Sequence, residues 1–80
     1  MKVGDWFVPR VPLSFVIEHI KSIKGVEISY DSFIVRSDLT FNIRKNFGTT
    51  LKSFESSLGN GRRKATIGDF RKMMKKVLDS

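Results

Sequence analysis

The amino-acid sequence predicts an α+β fold: an N-terminal helix packed on a small antiparallel sheet of two or three strands, with a basic amphipathic C-terminal helix. Three observations carry this expectation. Apolar residues recur at helical spacing over 12–24, strand-type alternation follows over 26–45, and a second helical stripe runs over 67–78. At 80 residues the chain reads as one domain, 1–80, which buries only about 60–65% of its unfolded surface.

The first ten residues hold Trp6, Phe7 and Val8 and read as a short strand or extended arm, stopped by Pro9 and Pro12. Pro12 suits the first position of a helix, where its missing N–H has no intrahelical partner to lose. Leu13, Val16, Ile17, Ile20 and Ile23 then fall within about a third of the helical circumference. Gly25 supplies the stop. Strand-type sequence comes next, with Val26, Ile28 and Tyr30 alternating with Glu27, Ser29 and Asp31 before Phe33-Ile34-Val35. Ser37-Asp38 reads as a turn, after which Leu39, Phe41 and Ile43 alternate with Thr40, Asn42 and Arg44. The simplest arrangement is a hairpin of 26–36 with 39–45. A turn at Asp31-Ser32 would instead divide the first of these strands.

Residues 46–61 admit two readings. Gly48-Thr49-Thr50 suits the cap of a short helix over 50–58, with Leu51, Phe54 and Leu58 on one face and Gly59-Asn60-Gly61 at its end. The same stretch also reads as a third strand. Further on, Thr66 and Asp69 have the spacing of a helix cap, and Asp69 complements the positive helix N-terminus. Ile67, Phe70, Met74, Val77 and Leu78 share one face of that helix, with Met73 at its edge. Arg71, Lys72, Lys75 and Lys76 occupy the other side.

Charge is the strongest functional signal. Residues 1–40 carry five bases and five acids, whereas 41–80 carry ten bases and three acids, the whole net charge of +7. Such asymmetry points to a polyanionic partner. The candidate phosphate contacts are Arg62, Arg63, Lys64, Arg71, Lys72, Lys75 and Lys76, flanked by Arg44, Lys45 and Lys52. Gly59 and Gly61 let the backbone approach a phosphate closely, and the bases of 62–64 lead into a helix N-terminus. The pattern is not a Walker motif, because Gly-Lys-Ser/Thr is missing. Trp6, Phe7 and Phe47 lie in less regular segments and are the candidate base-stacking residues, with core packing as the plainer role.

Other chemistries find little support. Without cysteine there is neither a disulfide framework nor a thiolate nucleophile, and one histidine cannot complete a structural zinc site. His19 has no evident partner and the acids are scattered singly, so the expectation is a protein that is not an enzyme and uses no cofactor. The N-terminus lacks the apolar core of a signal peptide, and no apolar run exceeds three residues. A cytoplasmic protein without membrane contact is therefore expected.

Two docking schemes follow for nucleic acid, DNA or RNA. Helices at 50–58 and 67–78 would make a helix–turn–helix-like pair, although the outer face of the second has Arg71 and no Asn or Gln to read base edges. Alternatively, a third strand at 47–58 yields the order helix, three strands, helix. With Gly59, Gly61, Arg62, Arg63, Lys64 and Ala65 opening the last helix, that order resembles double-stranded RNA-binding domains over residues 12–78. The resemblance implies phosphate contact by that loop and helix. The chain departs from the family in lacking a His-containing loop after the first strand. Phe70, Met73 and Met74 also replace the Ala-rich face of the family's last helix. A function of another class is a small regulatory or inhibitor protein that binds an acidic surface of a partner protein. A two-fold homodimer would double the basic surface in either case.

Overall fold

The computed structural model describes residues 1–11, 14–36, 38 and 40–78. Its elements in chain order are β1 (Trp6–Val8), β2 (Ser14–Lys24), β3 (Glu27–Arg36), β4 (Phe41–Thr50), α1 (Leu51–Ser57), β5 (Arg63–Lys64) and α2 (Ile67–Leu78). The strands form one five-stranded sheet in the order β4-β3-β2-β1-β5, and every neighbouring pair is antiparallel.

The helix expected over 12–24 is absent: residues 14–24 are the central strand of the sheet. Pro12 and Leu13 lie outside the described residues. Two features of the strand imitate a helix. Both of its faces are covered, so apolar residues sit on both sides and simple alternation disappears. A register shift between Ile20 and Ser22 then lets Ile20 and Ile23 pack into the same cluster. Val16, Ile17, Ile20 and Ile23 are all β-branched, which favours the pleated conformation over the helical one. Gly25, expected as a helix stop, instead occupies the first position of a two-residue hairpin turn between Lys24 and Glu27. Its φ of 59° is one that glycine adopts without penalty.

The β3–β4 hairpin matches the expected pairing but is longer, with Glu27 opposite Thr50 and Val35 opposite Phe41. Ser37 and Leu39 lie outside the described residues. Asn46 breaks the β4 ladder with a φ of 63°. Its N–H donates to Asp31 Oδ1 at 3.0 Å, and its own Oδ1 accepts from Lys21 Nζ at 3.1 Å. The short helix of the sequence reading is present as α1, capped by Thr50, whose hydroxyl accepts from the Ser53 N–H at 3.2 Å.

Because successive strand residues point to opposite faces, the sheet has two thin cores. On one face Phe7, Ile20 and Ile28 pack against Phe54 of α1. On the other, Val8, Ile17 and Val35 pack against Met73 of α2, with Trp6, Phe33, Phe70 and Val77 around them. The two helices therefore lie on opposite sides of the sheet with β5 between them in sequence. That arrangement excludes the helix–turn–helix pair. The layout of double-stranded RNA-binding domains also fails, since it requires the N-terminal helix.

Candidate functional site

The bases of 62–76 do not form one surface. Arg63 pairs with Val8 and shares its α2 side of the sheet, whereas Arg62, just ahead of β5, turns to the α1 side against Phe54. Arg62 is a structural residue, with its side chain 16% exposed beside a Glu18 side chain at 5%. Its Nε stands 2.9 Å from Glu18 Oε1, an ion contact poorly aligned for a hydrogen bond. Nη2 donates to Oε2 at 3.1 Å, Nη1 donates to Ser57 Oγ at 2.7 Å, and the guanidinium lies 4.1 Å above the Phe54 ring. Burial pushes the Glu18 carboxyl above its ordinary pKa despite the opposing pull of Arg62.

Arg63 is also engaged. It holds Asp69 with a two-pronged bond, Nη1 to Oδ2 at 2.6 Å and Nη2 to Oδ1 at 2.8 Å. Asp69 in turn accepts from the Thr66 N–H at 2.7 Å, while the Asp69 N–H donates to Thr66 Oγ1 at 3.3 Å. This is the expected cap of α2, closed in both directions and braced by an arginine. Arg63 first, and the Thr66 bonds after it, hold the Asp69 carboxyl well below the usual carboxylate range. Gly61, at φ 106°, gives its space to Arg10, whose Cβ would stand 2.7 Å from a Cβ at position 61. The glycine that suited a phosphate approach thus packs against this chain's own arginine.

Arg71, Lys72 and Lys75 are exposed on α2, and Lys76 is half-buried. None of the four forms an ion pair with a described acid; Lys72 sits 4.7 Å above the Phe15 ring. The helix is rotated from the expected setting. Met73 is buried, while Ile67, Met74 and Leu78 are largely exposed and form a ridge with Arg71 and Lys75. Lys64 on β5, Lys52 on α1, and Arg44 and Lys45 on β4 are all exposed.

A second cationic region lies on the α1 side of the sheet, beyond the reach of the short helix, where β4 is exposed beside β3. A groove of about 500 Å³ there is lined by Arg10, Arg36, Arg44 and Arg62, with Ser32, Tyr30 and Phe47 along it. Strand register explains the grouping. Ser32 pairs with Glu18 on one side and Arg44 on the other, Arg36 pairs with Ser14, and Tyr30 pairs with Phe47. The Tyr30 and Phe47 rings stack with centroids 5.5 Å apart. Burial, and then the Glu18 charge, push the Tyr30 phenol above its ordinary pKa.

Of the ten bases read from sequence, the structure brings Arg44 and Arg62 together in this groove and sets Arg71, Lys72 and Lys75 apart on the opposite layer. Arg10 and Arg36 escaped the sequence reading, since counting charge by halves put them in the neutral half, and Tyr30 was read there only as a strand residue. The clue for Arg36 was its position two residues after Ile34 and four after Ser32, on one face of a strand. Among the candidate stacking residues, Phe7 is buried, and Trp6 is packed against His19 at 4.1 Å, Phe33 and Phe70. Phe47 remains accessible. Among the described residues, no group of three or more His, Cys, Asp or Glu could hold a metal ion, and no helix is long and apolar enough to cross a membrane. No known family, no curated protein and no solved structure matches this chain.

Proposed function

We propose that this protein binds nucleic acid, DNA or RNA, through phosphate contact with weak sequence specificity and without catalysing a reaction. The observation that carries this reading is the α2 surface. Arg71, Lys72 and Lys75 are exposed there without a described acid to neutralise them. The helix contains no Asn or Gln to read base edges. Arg62 and most of Arg63 drop out as contacts, because Glu18 and Asp69 hold them.

A fluorescence-anisotropy titration against duplex DNA, single-stranded DNA and duplex RNA tests the proposal. If about five phosphates are neutralised, log K falls against log salt with a slope near −4.5 on duplex DNA. Replacing Arg71, Lys72 and Lys75 by Glu is expected to abolish duplex binding and leave the circular dichroism spectrum unchanged. Weak, equal binding to all three with little salt dependence would overturn it.

The Ile67, Met74 and Leu78 ridge favours a second reading. It lines a shallow surface of about 490 Å³ with Arg71 and Lys75, a mixture suited to an acidic surface on a partner protein. Changing these three residues to Ser separates the two. Nucleic-acid affinity stays unchanged under the first reading, whereas protein-partner binding is lost under the second.

A further inference from the structure

We infer that the arginine-lined groove on the α1 side of the sheet is a single-strand site: Arg10, Arg36 and Arg44 follow a phosphate backbone while an unpaired base stacks on Phe47. This rests on the proposal that the partner is nucleic acid, and it names the form of nucleic acid that this second surface takes.

The groove's charge is the first argument. Of its four arginines, Arg62 is neutralised by Glu18, whereas Arg10, Arg36 and Arg44 have no ion-pair partner among the described residues. Glu18 is the acid of the groove lining and is already paired, and Asp38 acts on Arg36 from outside that lining, so the lining itself carries a net positive charge. The cations are also spread out. Arg44 stands beside Ser32, and Arg36 lies four residues further along β3, about 13 Å away along the strand. Two cations that far apart suit a chain of phosphates better than one compact anion.

The second argument is the aromatic end. Phe47 is 37% exposed, and one side of its ring rests on Tyr30. Tyr30 is itself fixed edge-on against Phe54 at 5.8 Å. A ring backed by two others keeps its position when a base meets its open side, so little side-chain freedom is lost on stacking. Sheet-borne arginines beside an accessible ring are the two components that single-strand binding combines. Bases inside a duplex are stacked on one another and cannot reach Phe47, so the groove discriminates by strandedness and α2 does not.

Anisotropy titrations of a labelled oligo-deoxythymidine strand and of a labelled duplex test this on the full chain. Phe47→Leu keeps an apolar contact with Tyr30 but removes the aromatic face, and it is expected to weaken single-strand binding about tenfold. Arg36→Glu with Arg44→Glu is expected to weaken it further and to make the single-strand salt slope about 1.4 less steep. Duplex affinity stays within about twofold in both variants, and melting temperatures check that each is folded. Unchanged single-strand affinity in these variants, while duplex binding persists, overturns the groove and leaves the α2 reading standing. Should the wild-type protein bind neither probe, both proposals fall.

Discussion

At the scale of single residues, Arg62 shows how position in the fold redirects a charge. In sequence it belongs to a cationic run. In space it faces Glu18, 44 positions earlier, across the sheet from the helix that carries the other bases. Removing one member of a buried ion pair leaves the other charged and desolvated. Arg62→Ala is therefore expected to cost about 3 kcal/mol in urea denaturation, a large part of the stability of a domain this size. Lys75→Ala, by contrast, should stay within about 0.5 kcal/mol of wild type. Replacing Glu18 and Arg62 together by Met should recover most of the loss, because no orphaned charge remains. Gly61 belongs to the same neighbourhood. Gly61→Ala requires a strained φ and displaces Arg10, at an expected cost of about 2 kcal/mol.

At the scale of elements, legibility follows locality. The C-terminal helix was readable because its cap, its apolar positions and its charges all lie within a few residues of one another. The β3–β4 hairpin was readable for the same reason. The central strand was not, since the burial of its two faces depends on helices that come much later in the chain. Strand β5 has only two residues and no apolar signal of its own; it exists because β1 offers an unpaired edge. The cap of α2 also sets an expected pH response. Asp69 titrates below its unfolded value, so its contribution is complete above about pH 4 and is lost as pH falls through and below that value. Glu18 has the opposite sign: its raised pKa makes protonation favour the fold. The difference in urea midpoint between wild type and Asp69→Asn isolates the Asp69 part. That difference should be constant from pH 5 to 7, correspond to about 2 kcal/mol, and shrink below about pH 4.

At the scale of the whole molecule, a single sheet with one helix on each side separates two surfaces that share a charge sign but differ in chemistry. The α2 layer combines exposed lysine and arginine with an apolar ridge, whereas the α1 layer combines arginine with a stacked aromatic pair. Reading charge along the chain merged them, because sequence distance says nothing about which side of a sheet a residue faces. The existence of a cationic region was legible in the sequence; its division was not. Variants at Arg71, Lys72 and Lys75 and variants at Arg36 and Arg44 are accordingly expected to act independently. Their effects on binding to a probe with single- and double-stranded parts should add to within about 0.5 kcal/mol.

Strand β4 is an open border of the sheet. Its ten residues are nearly all exposed, and among the described residues no strand pairs with its outer side. A bare border of that length is a template for joining another copy, strand against strand. Arg44 and Lys45 sit at its middle and Asn46 kinks the backbone beside them. An antiparallel meeting of two copies about that midpoint would bring four positive charges together across a bent seam. The repulsion weakens as the Debye length shrinks from about 10 Å at 0.1 M to about 3 Å at 1 M salt. Ionic strength thus has two expected effects, weakening the proposed polyanion contact and removing the guard on this border. Light scattering of Arg44→Thr with Lys45→Thr should show self-association beginning at lower salt than in the wild-type protein.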